Sequence, residues 1–200
     1  MILDISSNQG AIDWTQIKTH EDINGVILRS TTRNGKLDVR TLENYNGILQ
    51  NLPDIGEISV YKFSYARDYV TACVECRRTI NELKAHGVHF DYFYLDLEDF
   101  NGRSHTKEEC DAVILGYRHT LIEYGLHHLL RLYVNKNYLT NIIDKTWSDI
   151  PIWLAWYKDA RVLTAEEFEP FKIVLWQYTS KGRIRGITND VDISKEIKWK

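Results

Sequence analysis

The stretch that decides the fold is Phe90-Asp91-Tyr92-Phe93-Tyr94-Leu95-Asp96-Leu97-Glu98-Asp99. It is short, rich in aromatic residues and ends in acids, so it predicts a buried strand over residues 90–98 with charge at its carboxyl end. Because side chains alternate between the two faces of a strand, Asp96 and Glu98 point the same way. Their Cα atoms should lie about 6.6 Å apart, and each carboxylate should raise the proton affinity of the other.

This pair of acids has two interpretations. One is catalytic, because a carboxylic acid that donates a proton beside a carboxylate that stays charged is the combination that glycoside hydrolysis requires. The other is structural, because an Asp-x-Glu pattern occurs at strand ends by chance and such ends are often only solvated. The rest of the sequence has to decide between them.

Composition places the chain among globular proteins. Its 200 residues are 44% hydrophobic and 26% charged, so they can bury a core, and we expect one domain over residues 1–200. The formal charge of −3 and the lack of a Lys/Arg cluster argue against a nucleic-acid partner. No apolar run approaches the roughly 18 residues of a membrane span, and no signal-peptide pattern opens the chain. We expect a monomer without membrane insertion.

Residues that bind metals or form disulfides are few. Three cysteines, Cys73, Cys76 and Cys110, are an odd number that argues against a disulfide framework. Cys73-x-x-Cys76 falls in a predicted helix with no second ligand pair at zinc spacing, so we interpret these thiols as structural. His127 and His128 are adjacent and would face opposite ways in a strand. The sequence therefore predicts no metal and no other cofactor.

Strands and helices alternate along most of the chain. Periodicity predicts eight strands, over residues 2–6, 24–30, 57–65, 90–98, 129–134, 152–157, 173–178 and 184–193. A helical pattern follows each of the first five, with capping boxes expected at Asp13 and Thr106. A Lys181-Gly182 turn is expected between the last two strands.

Five strand–helix units followed by three strands predict an α/β fold, a modified TIM-like barrel of the type (β/α)5(β)3. The carboxyl ends of the parallel strands meet at one rim of such a barrel, where active sites lie. Acids and rings from distant parts of the sequence would converge there, namely Asp4, Arg29, Tyr61, Asp96, Glu98, Tyr133, Tyr157 and Trp176. Arg29 is either a site residue or a surface charge whose stem lies along apolar groups.

In this order the residues resemble a known family, the Chalaropsis-type lysozymes of glycoside hydrolase family 25. The resemblance spans nearly the whole chain. The motifs that carry it are Asp4-x-Ser6 with Gln9-Gly10, Asp38 with Asn44, Tyr61-x-Phe63, Tyr94-Leu95-Asp96-Leu97-Glu98, Tyr133, Trp153-Leu154-Ala155-x-Tyr157, Trp176-Gln177-Tyr178, and Gly186-Ile187 to Val191-Asp192-Ile193.

The resemblance implies a barrel of five β/α units and three strands that hydrolyses the β-1,4 bond between N-acetylmuramic acid and N-acetylglucosamine in peptidoglycan. It implies that Glu98 is the general acid, that Asp96 is its ionised partner, and that Asp4 and Asp192 are further acids beside the cleft. The residues expected to contact substrate are Tyr61, Tyr157 and Trp176, to which we add Tyr133 and Arg29 from their predicted place at the rim.

Two departures from the family pattern concern substrate contacts. Arg29 stands where the family often has lysine, and Asp192-Ile193-Ser194 stands where it has Asp-x-Asn. Asp190 shares a strand face with Asp192, so either could be the fourth acid, and we favour Asp192 from its place in the motif. The nucleophile also stays open. It is a carboxylate, a water molecule, or the N-acetyl group of the substrate oriented by Asp96 or Asp192.

Two other functions compete with an active lysozyme, whether phage endolysin or bacterial autolysin. A non-catalytic module could bind peptidoglycan on the same barrel, although retention of all four acids argues against it. A metal-dependent deacetylase or hydrolase would need grouped His and Asp ligands, which the sequence does not show. We expect action on the bacterial cell wall without a separate wall-binding domain in this chain. The enzyme would be released from the host cytoplasm in the manner of phage enzymes, or be a trimmed secreted protein.

Overall fold

A closed barrel forms the centre of the molecule. The computed structural model describes residues 1–20, 22–157 and 165–197, and over these residues eight strands pair in chain order. They are β1 (Ile2–Ile5), β2 (Gly25–Arg29), β3 (Glu57–Phe63), β4 (Phe93–Leu97), β5 (Leu130–Asn135), β6 (Ile152–Ala155), β7 (Ile173–Gly182) and β8 (Val191–Glu196).

Most of the barrel is parallel, and its last strand closes it. Neighbouring strands pair in parallel from β1 to β7. The strand β8 runs antiparallel to both β7 and β1. The carboxyl ends of seven strands therefore meet at one rim, and the prediction of a modified TIM-like barrel is confirmed.

Helices follow the first five strands, as predicted. In the described ranges these are α1 (Trp14–Ile17), α2 (Thr41–Asn51), α3 (Tyr69–Ala85), α4 (Lys107–Glu123) and α5 (Lys136–Asn141). Short 3₁₀ helices occupy Ser7–Gln9, His127–Leu129, Lys145–Trp147 and Ala165–Phe168. Across the part of the chain that is described, no helix combines the length and apolar composition that crossing a membrane requires.

Two helix starts use the capping residues that the sequence predicted, although the reciprocal capping box expected at Asp13 is absent, because Asp13 N–H donates to Gly186 O. The Asp13 carboxylate accepts hydrogen bonds from the backbone N–H groups of Thr15 and Gln16. Thr106 and Glu109 form a reciprocal capping box at the start of α4. These bonds satisfy N–H groups that have no partner within the helix, which explains why the helix boundaries were readable from local sequence.

A layer of buried rings fills the barrel beneath its mouth. Trp153 is 1% exposed, and its ring centroid lies 5.0 Å from that of Tyr94 and 4.5 Å from that of Tyr133, in edge-to-face geometry. The indole N–H donates to Ser194 Oγ at 2.9 Å, so its polar edge is satisfied. These rings fill the part of the barrel beneath the mouth.

A buried ion pair joins the barrel to its helices. The Lys62 side chain on the outer face of β3 is fully buried, and its Nζ lies 3.3 Å from Glu75 of α3 and donates to Phe63 O at 2.6 Å. Glu75 also accepts from Ser64 Oγ and from the Tyr117 hydroxyl of α4. Burial lowers the pKa of Lys62, whereas Glu75 raises it. This network ties the carboxyl end of β3 to two helices.

The structure corrects the prediction for the last two strands. The predicted Lys181-Gly182 turn is wrong, because β7 continues through Gly182, which pairs with Val191. A Cβ atom on Gly182 would lie 2.3 Å from the Cδ1 atom of Ile193, so this glycine permits close strand approach.

The strand predicted over residues 184–193 lies instead over Val191–Glu196. The preceding segment packs against α1, where Gly186 O accepts a hydrogen bond from Asp13 N–H at 2.9 Å. Ile184 and Ile187, whose apolar character suggested a strand, are buried in the outer core. Apolar residues buried outside the sheet thus gave the same hydrophobic pattern in the sequence as residues of a buried strand.

We predict that Gly47→Ala destabilises the fold. A Cβ atom at this position in α2 would lie 2.2 Å from Cδ1 of the buried Trp14 ring. Overpacking of this kind costs about 1–3 kcal/mol, which exceeds the gain of about 1 kcal/mol that alanine brings to a helix. Urea unfolding measures the difference. The control is Asn46→Ala at the exposed neighbouring position, which should leave stability unchanged or slightly raised; equal effects of the two changes would contradict the packing argument.

Candidate active site

A cavity of about 210 Å³ opens at the rim where the parallel strands end. In the described part of the chain, the residues that line it are Asp4, Asn8, Arg29, Tyr61, Phe63, Asp96, Glu98, Tyr133, Trp153 and Asp192. They come from seven strands or from the segments directly after them. The barrel therefore brings together all the predicted site residues except Tyr157 and Trp176.

Four of the lining residues are acids, and they come from three strands. Asp4 on β1 lies opposite Asp192 on β8 in the antiparallel ladder. Asp96 lies near the end of β4, and Glu98 directly follows that strand. Glu98 and Asp192 keep partial exposure to solvent, whereas Asp96 is buried. The site therefore holds acids in different environments around one cavity.

Desolvation raises the pKa of all four acids, and repulsion from neighbouring acids raises it further for Asp4, Asp96 and Glu98. Desolvation is the largest cause for each. Asp192 and Glu98 further raise the pKa of Asp4, while Glu98 and Asp4 further raise the pKa of Asp96. Asp192 and Asp99 further raise the pKa of Glu98. Since carboxylates this close cannot all ionise together, the group holds protons at pH values where isolated carboxyls are charged.

The resemblance implied an ionised Asp96, but the surroundings of this carboxyl disfavour its charged form. Asp96 is 4% exposed, and within residues 1–20, 22–157 and 165–197 its Oδ1 atom has no hydrogen-bond partner. Lys62 and Arg29 lower the pKa of Asp96, but burial and the neighbouring acids raise it well above the usual value. The free site therefore disfavours the charged form of this carboxyl relative to an exposed aspartate.

Arg29 is the cation among the described lining residues. It lies at the end of β2, and its guanidinium donates a long hydrogen bond of 3.4 Å to the hydroxyl of Tyr65. Its charge lowers the pKa of both Asp4 and Asp96. Arg29 is therefore part of the cavity wall and not a surface charge.

Gln177 connects three site residues and was missed by the sequence analysis. This side chain on β7 is fully buried, and its Oε1 atom accepts hydrogen bonds from the hydroxyls of Tyr133 at 2.9 Å and Tyr157 at 2.6 Å. Its Nε2 atom donates to Asp4 Oδ2 at 3.4 Å. Two hydroxyl donors fix the orientation of the amide and direct its N–H group at the acid. A polar residue between two aromatic residues in a strand was the available signal.

Trp176 is not among the residues that line the cavity, so its expected contact with substrate stays a prediction. Leu175 lies in the cluster inside the barrel, so strand alternation sends Trp176 to the outer core. The Trp176 ring is 4% exposed, and its N–H donates to Trp156 O at 2.8 Å. Tyr157 lies beside the cavity, is 54% exposed, and donates to Gln177 Oε1.

The structure separates the two candidates for the fourth acid. Asp192 lines the cavity, whereas Asp190 forms an ion pair of 2.8 Å with Arg183 and has a half-exposed side chain. Asn8, Phe63 and Trp153 also line the cavity without having been predicted as site residues. Alternation from Tyr61 to Phe63 along β3 was the signal for the phenylalanine.

Cys73 and Cys76 lie on α3 and contact α4, and Cys110 lies within α4. Cys73 Sγ lies 3.5 Å from Gly116 O, and Cys76 and Cys110 are buried. Burial raises the pKa of the Cys110 thiol to about 12 and that of Cys76 further. Among the described residues, no three or more His, Cys, Asp and Glu side chains are grouped as metal ligands.

Solved structures share this fold. The modular autolysin LytC from Streptococcus pneumoniae, determined in complex with a synthetic peptidoglycan ligand, is 25% identical, with a TM-score of 0.81 over 96% of this chain and 45% of LytC. The spore cortex lytic enzyme SleM from Clostridium perfringens is 19% identical, with a TM-score of 0.79 over 96% of this chain and 65% of that one. The catalytic domain of endolysin ply40 from bacteriophage P40 of Listeria monocytogenes is 22% identical, with a TM-score of 0.72 over 98% of this chain and 92% of that one.

The present chain thus spans less than half the length of LytC. Among curated protein sequences, none matches it. The sequence profile of glycosyl hydrolases family 25 matches residues 3–187, which include three of the four cavity acids and most of the barrel strands. The chain belongs to glycosyl hydrolases family 25.

Proposed function

We propose that this protein is a lysozyme that hydrolyses the β-1,4 bond between N-acetylmuramic acid and N-acetylglucosamine in bacterial peptidoglycan. The observation that carries the proposal is the pair of carboxyls at the end of β4, Asp96 and Glu98, whose pKa values are both raised at the mouth of one cavity. Family membership supports the chemistry, and the peptidoglycan ligand of LytC supports the substrate. On this proposal the chain is one catalytic domain that acts at the cell wall.

Glu98 has the properties of a general acid. Desolvation, Asp192 and Asp99 raise its pKa, so it retains a proton at pH values where an exposed glutamate is ionised. Its partial exposure lets water return the proton after each turnover. We infer that Glu98 protonates the leaving glycosidic oxygen, which the bond requires before it breaks.

The other acids stabilise positive charge on the sugar. As the glycosidic bond breaks, positive charge develops at the anomeric carbon, and this charge favours the anionic form of Asp96 that the free site disfavours. In its ionised form Asp96 interacts more strongly with the transition state than with the bound substrate, because the positive charge develops only as the bond breaks. Asp4 and Asp192 extend the negative potential of the cavity. We infer that the nucleophile is Asp96, or the N-acetyl oxygen of the substrate held by Asp96 or Asp192.

We predict that Glu98→Gln lowers kcat on purified peptidoglycan by about 10²- to 10⁴-fold, the usual contribution of a general acid. The substitution keeps the shape of the side chain and removes its acidic proton. Mass spectrometry of the new reducing ends identifies the sugar, and the wild type should release muramic-acid reducing ends. The control is Glu123→Gln on α4, whose carboxylate pairs with Arg77 on the surface and which should cleave like the wild type.

Other outcomes of this digestion count against parts of the proposal. Glucosamine reducing ends would contradict the proposed bond specificity but would still show that the protein hydrolyses the glycan. Binding of several bacterial walls without cleavage, by the wild type and by Glu98→Gln alike, would favour a non-catalytic glycan-binding module.

We predict that Asp192→Asn moves the alkaline limb of the kcat/KM pH profile to lower pH. The general acid must be protonated, so activity falls as pH rises through the raised pKa of Glu98. Removing the Asp192 charge removes one cause of that rise and lowers the Glu98 pKa. The profile is measured on the residual activity. Asp190→Asn, outside the cavity, is the matched control, and an unmoved alkaline limb in Asp192→Asn would refute the coupling.

We predict that Asp4→Asn raises the thermal stability of the protein at pH 7. Because the folded-state pKa of Asp4 is raised, the folded state binds more protons than the unfolded state above pH 3.8, so its stability falls as pH increases. Asparagine has no charge to bury, so it removes this loss of stability, and its side-chain oxygen can still accept the hydrogen bond from Gln177 Nε2. We expect a Tm increase of about 2–4 °C, the usual effect of 1 kcal/mol at this size. Calorimetry at pH 7 and near pH 3 tests the sign, since the increase should disappear at the lower pH.

A further inference from the structure

A continuous run of aromatic rings leads from the cavity along the rim. Phe63 lines the cavity, and its ring centroid lies 4.8 Å from that of Tyr65. Tyr65 in turn lies 5.0 Å from Phe100, with the ring planes at 89°. All three rings are partly exposed. Rings of this kind offer apolar faces to sugars, so a polymer that extends beyond the cavity has a surface to follow.

An arginine without a carboxylate partner lies over this surface. The guanidinium carbon of Arg33 is 5.4 Å from the ring centroid of Tyr65 and 5.5 Å from that of Phe100. In the described ranges no carboxylate lies within ion-pair distance of Arg33, whereas the nearby Arg67 and Arg103 both pair with Glu109, at 2.8 and 2.9 Å. Arg33 is exposed and therefore keeps its donors available to a ligand.

The loop that carries Arg33 is closed on itself. Thr31 forms an isolated antiparallel bridge with Leu37, and Thr32 N–H donates to Lys36 O at 2.8 Å. The side chain of Asn34 accepts from Thr32 Oγ1 at 2.6 Å and from Lys36 N–H at 3.1 Å. The loop is thus ordered without a ligand, which reduces the entropy that binding would cost.

The loop that carries Phe100 is closed in the same way. Phe100 and Arg103 exchange backbone hydrogen bonds of 3.2 and 3.1 Å across a tight turn. The turn places Asn101 at φ 51° and Gly102 at φ 72°, the left-handed region that these residue types accept. Two preformed loops therefore hold Arg33 and Phe100 against Tyr65.

We propose that Arg33, Tyr65 and Phe100 form a binding subsite for a sugar that carries a peptide stem ending in carboxylates. The inference rests on the proposed function, because it takes peptidoglycan as the substrate. The parts of the rings that Arg33 leaves uncovered contact the apolar face of the sugar, and the Arg33 guanidinium binds a stem carboxylate. The cavity cannot accept this anion, because four acids line it. The stem is therefore directed to the rim, and the sugar chain is oriented with it.

The test compares three soluble, uncrosslinked glycans. The first carries acidic stems, the second carries the same stems with their carboxylates amidated, and the third has lost its stems and retains the lactyl carboxylate. The variants are Arg33→Gln, Phe100→Ala and the matched control Arg118→Gln, whose guanidinium on α4 pairs with Asp149 at 2.8 Å. Steady-state kinetics gives kcat and KM. Calorimetry in a Glu98→Gln background gives Kd without cleavage.

We expect Arg33→Gln to raise KM and Kd for the acidic glycan by about 2- to 5-fold, as an exposed charged contact does. Amidation should raise the wild-type values to the same level and leave Arg33→Gln unaffected. Phe100→Ala should weaken the binding of acidic and amidated glycans alike, because its ring acts on the sugar. Arg118→Gln should match the wild type on all three.

Several results would overturn the subsite. Equal binding of acidic and amidated glycans by the wild type would exclude a stem carboxylate as the ligand. An Arg33 effect confined to the stem-free glycan would show that Arg33 binds the lactyl carboxylate instead. Unchanged binding by Phe100→Ala would exclude the ring platform. If the wild type cleaves no glycan while Arg33-dependent binding persists, the proposed function fails and the subsite stands. Cleavage of all glycans without any Arg33 effect refutes the subsite alone.

Discussion

Repulsion among carboxyl groups in a desolvated mouth is the constraint on which the rest of the site depends. Asp4, Asp96, Glu98 and Asp192 face one small cavity, and Arg29 is the cation among the described residues of its wall. Such a group lowers its free energy by holding protons or by meeting positive charge. A glycosidic bond supplies the second solution, because its anomeric carbon becomes positive while an acid gives its proton to the leaving oxygen. The electrostatic stress of the free site is therefore relieved along the reaction.

Acids that repel one another stay close only if the scaffold resists their separation. The edge-to-face rings of Tyr94, Trp153 and Tyr133 fill the barrel below the cavity and leave the strands no space to relax inward. Gln177 holds Asp4 from the side through an amide whose orientation two tyrosines determine. Behind β3, the buried Lys62–Glu75 pair connects the strand to α3 and α4. Hydrophobic packing thus sustains an arrangement that electrostatics alone would disperse.

Local signals predicted most of the fold and part of the site. The helix starts at Asp13 and Thr106 depend on residues three positions away, so they were readable from sequence. The end of β7 depends on how closely Gly182 approaches Ile193 of the next strand, which no local pattern reports. Trp176 was assigned to the site because its motif suggested contact, whereas its direction depends on which face of β7 is inside the barrel. The raised pKa of Asp96 depends on burial by residues from several strands, whereas the resemblance to the family implied an ionised carboxylate.

The ladder between β1 and β8 also affects when the site comes into existence. Asp4 meets Asp192 only when the last strand docks antiparallel on the first, a contact between opposite ends of the chain. Contacts of such separation form late in folding, because a long loop must close before they contribute any stability. Until then Asp4 and Asp192 are solvated and apart from each other, and the group of four acids is incomplete. A nascent or partly folded chain therefore lacks an assembled acid cluster, and hydrolytic capacity should arise together with barrel closure.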